Sequence, residues 1–87
     1  MDKQQLAQVI RKAAYLEGDF VLRSGKRSKY YLDKYLFETD PAILREVGEL
    51  LARHASSGVD RIGGAELGGI PLAAAAALAC GKPFIII

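Results

Sequence analysis

At 87 residues the chain makes one small domain at most, and a domain of that size buries only about 60–65% of its unfolded surface, so its stability is marginal without help. With 51% hydrophobic and 25% charged residues it is ordinary globular material, which argues against disorder. A net charge of +2 is too small to imply a nucleic-acid partner, and a single cysteine excludes an internal disulfide and a cysteine-based metal site.

In chain order, Asp2 and Gln5 are spaced as a capping box, and Leu6, Val9, Ile10 and Ala13 recur at helical spacing. They predict an amphipathic helix over 3–16, ended by Gly18. Phe20-Val-Leu reads as a strand, Ser24–Lys29 as a polar turn around Gly25, and Tyr30–Phe37 as a second strand, together a hairpin. Asp40-Pro41 is a helix start, with a capping carboxylate followed by a proline at the first helical position. Ile43, Leu44, Val47, Leu50 and Leu51 give that helix one apolar face to about Ala55, before Ser56-Ser57-Gly58 breaks it.

Val59–Ile62 is short enough for a strand, Gly63–Gly69 is a glycine-rich loop, and Ile70–Cys80, apolar nearly all round, is expected to be a buried helix. Gly81 stands where a helix C-cap glycine belongs. Pro83–Ile87 has the β-branched character of a parallel strand covered on both faces. Helix, strand, loop, helix and strand in succession call for a parallel α/β sheet. Two such strands and a hairpin do not close a layer, so a truncated α/β domain, or one that folds only with partner chains, is expected. No apolar run reaches the roughly 18 residues of a membrane span, and no hydrophobic signal core follows Met1, which predicts a cytoplasmic protein.

Two stretches can carry chemistry. Gly63-Gly64-Ala65-Glu66-Leu67-Gly68-Gly69 follows a strand and opens a helix, where glycines allow positive φ and backbone N–H groups can turn inward around an anion. The positive end of the following helix adds to that field. Neither the Walker ending nor the dinucleotide glycine spacing is present, and a plain tight turn is the alternative. Glu66 would repel a phosphate if it faced inward; it meets a metal, a ribose hydroxyl or solvent. The other stretch is the basic run of Arg23, Lys26, Arg27, Lys29 and Lys34, offset only by Asp33. Arg23 and Lys26 flank the turn and could grip phosphate or carboxylate, or form a solvated tip. Tyr31 could stack on a planar base, whereas Tyr35 and Phe37 read as packing residues. His54 reads as a surface histidine at a helix C-terminus, and Cys80 as a buried inert thiol.

The stretch Phe20-Val-Leu-Arg23-Ser-Gly-Lys-Arg-Ser28-Lys-Tyr-Tyr-Leu-Asp33 resembles the N-terminal hairpin of the orotate phosphoribosyltransferases. Gly63-Gly-Ala-Glu-Leu-Gly-Gly-Ile-Pro-Leu-Ala73 is similar to the diphosphate loop of the same family. The resemblance implies a type I phosphoribosyltransferase fold, with residues 1–38 forming a helix-and-hairpin hood and 39–87 the start of the α/β core. It implies transfer of ribose 5-phosphate from 5-phosphoribosyl 1-diphosphate to orotate, with Mg²⁺ accompanying the sugar diphosphate, in a homodimer.

By position, Arg23 would meet the sugar diphosphate, with Lys26 a further substrate-binding candidate across the turn; Tyr31 and Leu32 would cover orotate, and the backbone of Glu66, Leu67, Gly68 and Gly69 would hold diphosphate. Some members carry a lysine at the position of Gly68, so binding here would rest on the backbone. The family's mobile catalytic loop and its acidic ribose-phosphate signature would follow Ile87, so these residues alone are expected to be inactive, with no catalytic residue and no metal ligand among them. Two other readings are a phosphoribosyltransferase for a purine base or uracil, and a non-catalytic relative that binds nucleic acid.

Overall fold

The computed structural model describes all residues from Met1 to Ile87. Helix α1 (Lys3–Ala14) opens with the expected capping box: Asp2 accepts the Gln5 N–H at 2.8 Å, and the Gln5 side chain accepts the Asp2 N–H at 3.0 Å. It ends two residues before the expected Leu16. Tyr15 is already extended and starts β1 (Tyr15–Val21), which pairs antiparallel with β2 (Arg27–Leu32). Tyr15 stacks on Tyr30 across the ladder, with ring centroids 5.8 Å apart, and such a pair favours strand over a last helical turn. Gly18 therefore lies inside the strand, where the register slips between Glu17 and Phe20, and does not terminate a helix.

The expected second strand stops at Leu32, not Phe37. Asp33 accepts the Tyr35 N–H at 3.1 Å and caps a short helix, α2 (Lys34–Glu38), which takes Tyr35 and Phe37 out of the hairpin. A second cap follows at once. Asp40 accepts the N–H groups of Ala42 and Ile43 at 3.0 and 3.2 Å and starts α3 (Pro41–Ala52), which ends three residues short of Ala55.

The rest of the chain is β3 (Ile62–Gly64), α4 (Gly69–Cys80) and β4 (Phe84–Ile86). The strands pair in parallel, Ile62 opposite Phe84 and Gly64 opposite Ile86, as the order of elements requires. The strand expected over Val59–Ile62 is shifted forward, so that Gly63 and Gly64 belong to the ladder and not to the loop. Gly81 ends α4 at φ 71°, the left-handed cap conformation. The Lys82 ammonium donates to the carbonyls of Ser56 (2.8 Å) and Val59, tying the turn before β3 to the end of α4.

The core is small: Leu6, Ala14, Ile43, Ala73, Ala76 and Ala77. Helix α4 lies against α3 on one side and against β3 and β4 on another. It is not buried all round, since Leu78 is 87% exposed. Ile85, Ile86 and Ile87 are exposed as well, so β4 is not covered on both faces within these residues. The cause is topological: the parallel sheet has two strands, leaving one edge of each unpaired.

Candidate anion-binding site

The glycine-rich segment is a turn, Ala65–Gly68, between the end of β3 and the start of α4. Its ends are tied down by backbone bonds. Glu66 N–H donates to Ile87 O at 3.0 Å, Gly69 N–H to Ala65 O at 2.9 Å, and Ile70 N–H to Leu67 O at 3.2 Å. Pro71 has no N–H to offer. In this turn the N–H groups of Ala65, Leu67 and Gly68 donate to nothing in the chain. The expected backbone cradle of Glu66, Leu67, Gly68 and Gly69 thus narrows to its middle pair. The Glu66–Leu67 peptide is cis.

The glycines matter for a different reason from the one expected. None in this loop has positive φ; only Gly25 in the hairpin turn and Gly81 do. They permit close approach instead. A Cβ on Gly64 would lie 2.5 Å from the Gly69 carbonyl oxygen, and one on Gly68 would lie 2.5 Å from both Cε and Nζ of Lys34. Lys34 is the side chain that reaches the loop, and Gly68 beneath it is buried. Sequence reading counted this lysine only as part of the basic run. The one local signal was its place directly after the Asp33 cap, which sets the direction in which the helix presents it.

The other candidates are not bonded to the turn. Arg23 and Lys26 are exposed around the hairpin turn, and no hydrogen bond or ion pair joins either to Ala65–Gly68. Tyr31, 46% exposed, leans on Phe20 with ring centroids 5.7 Å apart, which leaves part of its ring free. Leu32 and Glu66 are exposed. His54 lies exposed at the end of α3, beside an apolar cleft of about 430 Å³ lined by Leu51, Val59, Ile62 and Leu72. Cys80 is half-buried. No group of three or more His, Cys, Asp or Glu side chains gathers anywhere, and no helix is long and apolar enough to cross a membrane.

One turn along α2 from Lys34, Glu38 is 2% exposed and neither carboxylate oxygen has a hydrogen-bond partner. Burial pushes its carboxyl above the ordinary value of 4.5, against the opposing pull of Lys34. The folded chain therefore holds this proton more tightly than the unfolded one. Its contribution is fully present below pH 4.5 and is lost as pH rises through the raised folded value. Glu38→Gln is expected to be more stable than the parent at pH 7, with the advantage shrinking to nothing in acid, as urea unfolding at a series of pH values would record. A constant difference across that range would contradict this.

No protein-family profile matches the chain. Curated relatives do. The orotate phosphoribosyltransferase of Methanocella arvoryzae is 41% identical over 87 residues, all of this chain and 50% of the relative. Among solved structures, the orotate phosphoribosyltransferase of Aeropyrum pernix superposes with a TM-score of 0.73 at 35% identity, covering 94% of this chain and 52% of that one. The Mycobacterium tuberculosis enzyme, in complex with inorganic phosphate, gives 0.80 at 26% identity, covering 95% and 51%. The chain spans about half the length of the curated relatives it matches.

Proposed function

We propose, from the premise that this chain is homologous to orotate phosphoribosyltransferases and shares their type I phosphoribosyltransferase fold, that it supplies the diphosphate-holding part of such an enzyme. The full-length protein transfers ribose 5-phosphate from 5-phosphoribosyl 1-diphosphate to orotate, giving orotidine 5′-monophosphate and diphosphate, in the synthesis of pyrimidine nucleotides. The observation that carries this reading is the turn Ala65–Gly68, with the unbonded N–H groups of Leu67 and Gly68 at the end of a parallel strand. The phosphate complex of the M. tuberculosis relative fits a site of this chemistry.

The catalysis such a turn can give is electrostatic. As the bond to the sugar breaks, the leaving diphosphate gathers negative charge. N–H donors already fixed in place, those of Leu67 and Gly68, stabilise that charge without reorganising. Losing one such donor typically costs about 3 kcal/mol in the barrier. Glu66 is then turned toward solvent or a ribose hydroxyl, away from the anion. On this reading magnesium, bound with the sugar diphosphate, would offset part of the negative charge that gathers on the leaving group.

Arg23 and Lys26 meet the substrates at the hairpin turn, and the free parts of Tyr31 and Leu32 cover the planar base. Residues 1–38 act as the hood and 39–87 as the start of the core. The protein is a cytoplasmic homodimer; the exposed apolar cleft of Leu44, Pro71 and Leu78 between α3 and α4 suits contact with a second copy. On this reading these 87 residues, about half the length of their relatives, are inactive alone.

The test is loss of orotate absorbance by the full-length protein with the sugar diphosphate and Mg²⁺. Consumption of orotate supports the assignment. Consumption of uracil or a purine in its place would make this another phosphoribosyltransferase, and salt-sensitive binding of RNA or DNA without any turnover would point to a regulator.

A further inference from the structure

The geometry points to Lys34 as the cationic ligand of the anion held at Ala65–Gly68, with Gly68 kept small so that the lysine can pass over it. This rests on the phosphate-handling reading of that turn and deepens it by adding a side chain from a separate element. Gly68 has φ −64° and ψ −24°, a conformation open to any residue, so its backbone gives no reason for glycine. Space does. A Cβ there would lie 2.5 Å from Lys34 Cε, 2.5 Å from Nζ and 3.1 Å from Cδ. The lysine stem therefore runs across the Gly68 Cα and sets its ammonium beside the Gly68 backbone.

That ammonium is not spoken for. It makes no hydrogen bond and no ion pair; its close neighbours are the Tyr35 ring, whose centroid is 5.6 Å away, and Glu38, whose field it feels. An unpaired lysine on an exposed surface would ordinarily extend into water. Lys34 is itself exposed, yet its stem lies against a turn in which the N–H groups of Leu67 and Gly68 are also without acceptors. The Lys34 ammonium and the partly positive N–H groups of Leu67 and Gly68, none of them bonded within the chain, suit an oxyanion such as a diphosphate oxygen. Lysine acts here as a mobile point charge, so it can follow the diphosphate as charge builds on it. Arg23 and Lys26, on the hairpin turn, do not share this position.

The experiment titrates the full-length protein with inorganic diphosphate, read by calorimetry, so that binding is scored apart from turnover. Lys34→Met keeps the packing stem and removes the charge; it is expected to weaken diphosphate binding about tenfold or more, the worth of a charge-assisted hydrogen bond. Lys34→Arg is expected to restore most of the affinity. Gly68→Ala pushes the lysine aside and is expected to weaken binding similarly, yet to add less than about twofold once Lys34 is already Met, because the two changes remove one interaction.

Affinity unchanged in Lys34→Met, or additive losses in the double variant, would overturn the assignment. If Lys34→Met does not fold, the pair Lys34→Arg and Gly68→Ala decides: retained affinity in the first with loss in the second supports it, and equal affinity in both refutes it. Failure of the transferase reading is recognised separately, as diphosphate binding that depends on Lys34 without any consumption of orotate.

Discussion

Gly64→Ala is expected to destabilise the full-length protein by about 3 kcal/mol, the upper range for overpacking a close-packed site. The new Cβ would sit 2.5 Å from the carbonyl oxygen of Gly69, 2.6 Å from Ala73 Cβ and 3.0 Å from the Gly69 carbonyl carbon. Two of those three atoms are backbone at the first residue of α4, so no rotamer change makes room. The helix must slide away from β3, and that moves the far end of the anion turn relative to the near end. Diphosphate affinity should fall with stability, since Leu67 and Gly68 sit between the two elements being pushed apart. Urea unfolding and a diphosphate titration on the same variant would check both. A variant within about 0.5 kcal/mol of the parent, the size of an ordinary surface change, would contradict the packing described here.

Gly48→Ala separates packing from propensity. Gly48 is buried in the middle of α3, where alanine should favour the helix by about 1 kcal/mol. Its Cβ would nonetheless meet Ala75 of α4, at 2.7 Å from the carbonyl carbon, 2.7 Å from Cβ and 2.8 Å from the carbonyl oxygen. The α3–α4 contact is the main seam of this small core, and opening it is expected to cost about 2 kcal/mol net. Adding Ala75→Gly should recover only part of the loss, because it removes one of the three clashing atoms and leaves the two carbonyl atoms. Midpoints in urea at unchanged slope would report this. A Gly48→Ala protein more stable than the parent would show that propensity wins, and that the helices are further apart than described.

The features legible in the sequence are those decided within four residues. Asp2 with Gln5, Asp40 with Pro41, and Gly81 each satisfy free backbone groups of their own helix, and each cap is where its residues predict it. Parallel pairing of β3 with β4 follows from element order. The same local logic, applied to Asp33, would have ended the second strand at Leu32; its capping carboxylate was passed over in favour of the aromatic run Tyr30–Phe37. Gly18 misled in the opposite direction, since a glycine in a strand at a bulge looks like a helix stop when Tyr15–Tyr30 stacking cannot yet be seen.

The site divides in the same way. The turn within Gly63–Gly69 is legible from the glycines, but their purpose is not, because it lies in contacts between segments: Gly64 with Gly69 and Ala73, Gly68 with Lys34. Arg23 and Lys26 make no hydrogen bond or ion pair with Ala65–Gly68. A lysine 34 residues before its glycine has only its place after the Asp33 cap as a local signal.

The claim that Leu67 and Gly68 hold an oxyanion with their backbone is tested most directly by amide NMR of the full-length protein during titration with inorganic diphosphate. The account predicts saturable shifts largest at the Leu67 and Gly68 N–H resonances, with Glu66 and Ile70, already bonded within the chain, moving less. Shifts confined to the hairpin turn around Gly25, with Leu67 and Gly68 unmoved at saturation, would contradict it.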